Sequence, residues 1–191
     1  GAHDFDLRAG RREIFGTHST RFRYGVLRVE GNAPLSTRRI IVDEHIVNYV
    51  LGHSFVNSEL TEYVSSVRRP EIDVGAFHPQ VREPLAKLVE YFSNDLSRNL
   101  FFAGPRGAGK NEAATYLCEQ LQMPCLEVNL RRLLEAEDIL TTVRRIVRDA
   151  ALFQAALLLP DLELITEEEP HLRRLRDILR EELRMAPLAI L

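Results

Sequence analysis

The chain has 191 residues, 45% of them hydrophobic and 28% charged, and a formal net charge of −3. That is room for one ordinary domain plus a small one, with enough apolar residues for a sizeable core. It excludes binding to nucleic acid through bulk positive charge. No apolar run approaches the length of a membrane span, so no membrane partner is expected.

The two cysteines, Cys118 and Cys125, show no metal or disulfide spacing. They read as small buried hydrophobes and fit a reducing, cytoplasmic setting. The basic residues are lopsided, 23 Arg against Lys87 and Lys110 alone.

The first 35 residues are Arg-rich and weakly patterned. YGVLRV at 24–29 reads as a strand closed by the turn-forming pair Gly31-Asn32. Asp43 is placed to cap a helix with Ile46, Val47, Val50 and Leu51 on its inward face and Gly52 as its stop. Asn57 is placed to cap a second short helix, with Leu60, Tyr63 and Val64 inward. The polar stretch 68–78 reads as the boundary between a small α+β domain, residues 1–75, and a larger one, residues 76–191.

Beyond it the pattern is regular. A helix over 79–92 turns Val81, Leu85, Leu88 and Tyr91 to one side. NLFFA at 99–103 is a short apolar strand, and 110–121 is a helix with Ala113, Ala114, Leu117 and Leu121 inward. A strand at 124–128, a helix over 136–152 and the strand AALLL at 155–159 follow. Thr166, with Glu169 three residues on, reads as a capping box for a helix burying Leu172, Leu175, Leu179 and Leu183. A last strand begins at 187. Alternating strands and helices mean crossover units, so the larger domain is expected to be α/β, a parallel sheet with helices on both faces.

Between the strand NLFFA and its helix stands GPRGAGKN, residues 104–111. Gly104, Gly107 and Gly109 can adopt backbone angles that let successive N–H groups converge on an anion. Pro105, Arg106 and Ala108 complete the loop, the helix start adds its positive dipole end, and Lys110 can reach the outer phosphates. The pattern G-x-x-x-x-G-K calls next for Ser or Thr, whose hydroxyl holds Mg²⁺. Asn111 stands there instead. Its amide oxygen can ligate a hard cation but projects farther, and Mg²⁺ tolerates little misplacement. Nucleotide binding is therefore expected to be weakened, and Mg²⁺ binding weakened more.

The second element is the apolar strand that ends at Pro160 and Asp161. An acid at that place supports Mg²⁺ beside a phosphate loop. The next residue, where many ATPases carry the Glu that orients the attacking water, is Leu162. Glu163 can take that role only if the chain bends at Pro160. The histidines His45, His53, His78 and His171 form no ligand spacing, and Arg173, Arg176 and Arg180 read as a solvated helix face.

Over residues 78–191 these features resemble the AAA+ ATPase family: GPRGAGKN after NLFFA, then EAATYLCEQLQMPCLEVNL, then AALLLPD after a long helix. IIVDEHIVNYVLG is similar to the winged-helix region of the ATPases that accompany contractile injection systems. The resemblance implies a P-loop NTPase domain with three αβα layers and strand order 5-1-4-3-2. It also implies ATP or ADP at the loop, a ring of identical subunits, commonly a hexamer, and a protein substrate. By it, Lys110 binds phosphate and Asp161 supports Mg²⁺, while Asn111 and Leu162 depart from the catalytic pattern. The sensor asparagine, arginine finger and helical lid are expected beyond Leu191.

Three functions are compatible with this reading. One is a degenerate ATP-binding module for assembly or regulation. Another is an active ATPase with Glu163 as base. The third is a winged-helix module binding DNA or protein, for which Arg38 and Arg39 offer only a thin basic patch, so no nucleic-acid partner is expected.

Overall fold

Short apolar runs set between helices can bury both of their faces by lying inside a parallel sheet. The computed structural model describes residues 19–31, 38–52, 58–67, 72–94, 98–105, 107–166 and 169–191. The chain divides into two units, Gly1–Phe55 and Val56–Leu191. The division thus falls ahead of the polar stretch 68–78, and residues 58–67 belong with the second unit.

In the first unit a short helix α1 (Thr20–Arg23) precedes strands β1 (Leu27–Glu30) and β2 (Arg39–Val42) and helix α2 (Glu44–Val50). The strands pair antiparallel, from Leu27 opposite Val42 to Glu30 opposite Arg39. The strand expected over 24–29 begins later, because Tyr24 closes α1. Asp43 does cap α2. Its buried carboxylate accepts from the His45 N–H at 3.1 Å and from the Arg28 guanidinium at 2.6 Å, tying the helix start to β1. Of the face expected inward, Ile46 is half-buried but Val47, Val50 and Leu51 are exposed, and His45 is buried.

The second unit holds a five-stranded sheet. Its strands are β3 (Val64–Ser66), β4 (Arg98–Leu100), β5 (Cys125–Val128), β6 (Ala156–Leu158) and β7 (Leu188–Ile190), in the order β3-β5-β6-β7-β4. Four are parallel, and β3 runs antiparallel along the edge of β5. The helix expected over 57–64 is a single 3₁₀ turn, Ser58–Leu60, followed by β3. The free edge of β5 decides this, because pairing there satisfies the backbone of a segment too short to sustain a helix. Asn57 lies outside the described residues.

The helices of this unit are α3 (Pro79–Asn94), α4 (Lys110–Gln120), α5 (Leu130–Leu134), α6 (Ile139–Leu152) and α7 (Pro170–Glu182). Phe92 of α3 and Ala114, Leu117 and Cys118 of α4 close on Cys125, Ala156, Leu158, Leu188 and Ile190, one face of the sheet. Alternate strand residues Leu126, Leu157 and Ala189 are also buried, so the opposite face is covered too. Of the face expected inward in α3, Leu85 is buried and Leu88 is half-buried against the core beside Phe92, whereas Val81 and Tyr91 are exposed.

The helix expected over 136–152 is α6, which starts three residues later than expected because Asp138 caps it by accepting from the Thr141 N–H; the short α5 ahead of it was not expected. Among the described residues Thr166 caps no helix. Its hydroxyl donates to the Glu163 carbonyl at 2.7 Å, Glu169 is the N-cap residue of α7, and Pro170 fills the first turn, where a missing N–H costs nothing.

Two helices enter the sheet through the same turn. Gln122 after α4 and Gln154 after α6 have φ of 54° and 52°. The Met123 N–H reaches the Cys118 carbonyl at 2.9 Å, and the Ala155 N–H reaches the Ala150 carbonyl at 2.8 Å. Each is a Schellman-type stop that passes directly into a parallel strand. The first also brings the two thiols together: Cys118 and Cys125 are both buried, and the neighbouring Cys125 and burial push the Cys118 thiol far above its ordinary range. Separation in sequence had hidden that proximity.

Polar links hold the helical layer. Arg144 of α6 donates to the fully buried carboxylate of Glu182 at 2.9 Å. Arg148 and Asp149 form a buried pair at 2.7 Å. Among the described residues no helix is long and apolar enough to cross a membrane.

Candidate phosphate-binding cleft

Strands β4, β5 and β6 release their chains at the carboxyl ends of the parallel strands, where open α/β sheets place their ligands. A cleft of about 450 Å³ opens there. Residues 107–112 form one wall, Arg131 a second, and Pro160, Asp161 and Glu163 a third. The volume lies within the range of small-molecule sites.

Two of the three loop glycines take the left-handed backbone expected of them, and Gly104 does not. Gly107 and Gly109 have φ of 77° and 81°, the left-handed region in which a side chain is strained. Gly109 is the N-cap of α4 and offers no side-chain cap. Gly109 therefore leaves the first turn of α4 without a cap from its own side chain. Lys110 donates from Nζ to the Gly104 carbonyl at 3.1 Å, which uses one of its three donor hydrogens. The Pro105 carbonyl accepts from the Ala108 N–H at 3.3 Å. Gly104 and Pro105 thus brace the loop from within, and Arg106 lies outside the described residues. Asn111 lines the cleft, while its carbonyl accepts from the Thr115 hydroxyl at 2.8 Å.

The acidic wall follows a bend. Asp161 has φ 59° and ψ 32°, left-handed for a residue with a side chain. Asp tolerates that region better than most residues, and unusual backbone of this kind gathers at functional sites. The turn ends the β6 run and starts a 3₁₀ helix, Leu162–Ile165. Asp161 and Glu163 both come to the cleft lining by this route. The bend after Pro160 that Glu163 required is thus present. Asp161 and Glu163 also line a smaller adjoining cavity of about 180 Å³, together with Phe102, Leu159 and Leu191.

Every described residue of 107–111, with Asp161 and Glu163, is therefore gathered round one space. Arg131 was missed. Its neighbours give the only sequence signal, since Asn129 caps α5 and Leu130 and Leu133 are buried, which fixes the phase of the turn.

For a divalent cation the cleft offers the Asp161 carboxylate and the Asn111 amide oxygen, the kind of sparse donor set that Mg²⁺ completes with phosphate oxygens and water. Among the described residues no cluster of three His, Cys, Asp or Glu forms a closed metal site.

Compared with known proteins, the chain matches no family model and no curated protein.

Proposed function

We propose that residues 56–191 bind ATP or ADP as part of an AAA+-type module, with the phosphates held by the 104–111 loop. The observation that carries this is the shared cleft, with the glycine backbone, Lys110 and Asp161 round one space at the carboxyl ends of the parallel strands. The strand order supports it. Read from β4, the parallel strands run first, fourth, third, second, the 1-4-3-2 portion of the order that the family resemblance implies. The hairpin and helix of the first unit fit a winged-helix-like N-terminal domain.

In this reading Lys110 and the loop amides bind the phosphates, and Asp161 and Asn111 hold Mg²⁺ loosely. A bound Mg²⁺ would neutralise charge on the outer phosphates. Asn111 and Leu162 both weaken the hydrolytic pattern, so the module serves ring assembly or regulation of a remodelling ATPase. A second reading, slow hydrolysis with Glu163 as base, draws on the place of Glu163 in the cleft lining.

Thermal unfolding of the whole chain with ATP or ADP tests the first reading. Ligand at about a hundred times its dissociation constant should stabilise the fold by about 2.7 kcal/mol. Lys110→Ala should abolish that gain, and no gain at millimolar nucleotide would end the proposal. Steady phosphate release with Mg²⁺ that disappears in Glu163→Gln would replace it with the second reading.

A further inference from the structure

The cleft has a second cation that no phosphate-loop pattern asks for. Arg131 lines it from α5, one residue past the Leu130 anchor. Its neighbour Arg132 turns outward and pairs with Glu135 at 2.9 Å. Arg131 makes no ion pair or hydrogen bond among the described residues. The carboxylates on the same lining, Glu112, Asp161 and Glu163, are not its partners. A guanidinium on the lining of a concave site, unpaired among the described residues, is available to an incoming anion. Its planar fork suits phosphate oxygens.

The cleft also lacks the hydroxyl that normally fixes Mg²⁺, because Asn111 takes that position. The charge that the metal would neutralise needs another cation, and Lys110 already donates once to its own loop.

Resting on the nucleotide reading above, we infer that Arg131 is a phosphate ligand of the cleft. It takes the outer phosphate of a nucleoside polyphosphate from a wall separate from Lys110 and lowers the dependence of binding on a divalent cation.

The test is calorimetric titration of the whole chain with ATP, in Mg²⁺ and in EDTA, and with inorganic tripolyphosphate as a probe without a nucleobase. A charge-assisted contact of this kind should make Arg131→Ala bind ATP and tripolyphosphate about tenfold more weakly in EDTA. The loss should be smaller in Mg²⁺. Arg131→Lys should recover part of the affinity through charge alone, and Arg132→Ala, on the solvent side of the same helix, should match the parent. Unliganded melting should be unchanged in all three. Equal losses in Arg131→Ala and Arg132→Ala would reduce the effect to general surface charge and overturn the assignment. ATP binding that Lys110→Ala removes and Arg131→Ala leaves intact would overturn the role of Arg131 while sparing the nucleotide site. No binding of ATP or tripolyphosphate by the parent chain would overturn both.

Discussion

Helix α2 of the first unit and helix α7 of the second carry similar apolar spacing and meet different ends. In α2 and its stop, Val47, Val50 and Leu51 follow one another at helical intervals and are exposed. In α7, Leu172, Leu175 and Leu179 do the same and are buried. Periodicity reports that a helix has an apolar face, and the partner decides whether the face is covered. The first unit offers α2 a two-stranded hairpin, whose own Ile40, Ile41 and Val42 are exposed. The second offers α7 the neighbouring helices α5 and α6, with Arg144 and Glu182 joining the helical layer.

The largest effect that separates the two helices should come from truncating α7. Leu175 is fully buried, and Leu175→Ala should cost about 2–5 kcal/mol by lost transfer energy and the cavity left behind. Denaturant unfolding of the second unit reads it. A loss under about 1 kcal/mol would mean that the layer closes over the gap and that its packing is looser than its burial implies.

The second unit was largely legible in the sequence because its signals are local. Strand, glycine loop and helix follow one another within 98–120, and each runs at its own period. Asp161 was legible as the acid that ends an apolar strand. What stayed hidden depends on long-range placement. The segment 64–66 became a strand because β5 had a free edge, which no window around Val64 contains. Arg131 stands in a segment where no element was expected, and the structure places it on a short helix, α5, lining the cleft. Thr166 and Glu169 matched a capping box, yet the start was set by Pro170, whose fixed φ suits the first turn.

A smaller effect should come from the cap that sets the start of α6, the helix expected over 136–152. The Asp138 carboxylate accepts from the Thr141 hydroxyl at 2.6 Å and from its N–H at 3.1 Å. Those bonds, the hydroxyl first, hold its carboxyl below the usual aspartate range. Asp138→Ala should cost about 1 kcal/mol at neutral pH. A depressed folded pKa gives stability that is present above the unfolded value, about 4, and lost as pH falls through the folded one. The difference between parent and variant should therefore shrink in acid below pH 4. A difference that stays constant down to pH 2 would assign the effect to helix propensity and not to the charged cap.

The smallest effect tests the other half of the comparison. Val50 ends α2 and is 75% exposed. Val and Ser have similar helix propensities, so Val50→Ser removes apolar surface without changing backbone preference. If α2 is held by its Asp43 cap and by buried His45 and not by its valine face, the change should stay within about 0.5 kcal/mol. Amide hydrogen exchange on peptides covering 38–52 resolves this unit from the larger one, whose unfolding would mask so small a shift in a whole-chain melt. Protection lost by about 2 kcal/mol or more would show that the valine face is covered in solution, and the contrast between the two helices would then be one of partner identity and not of burial.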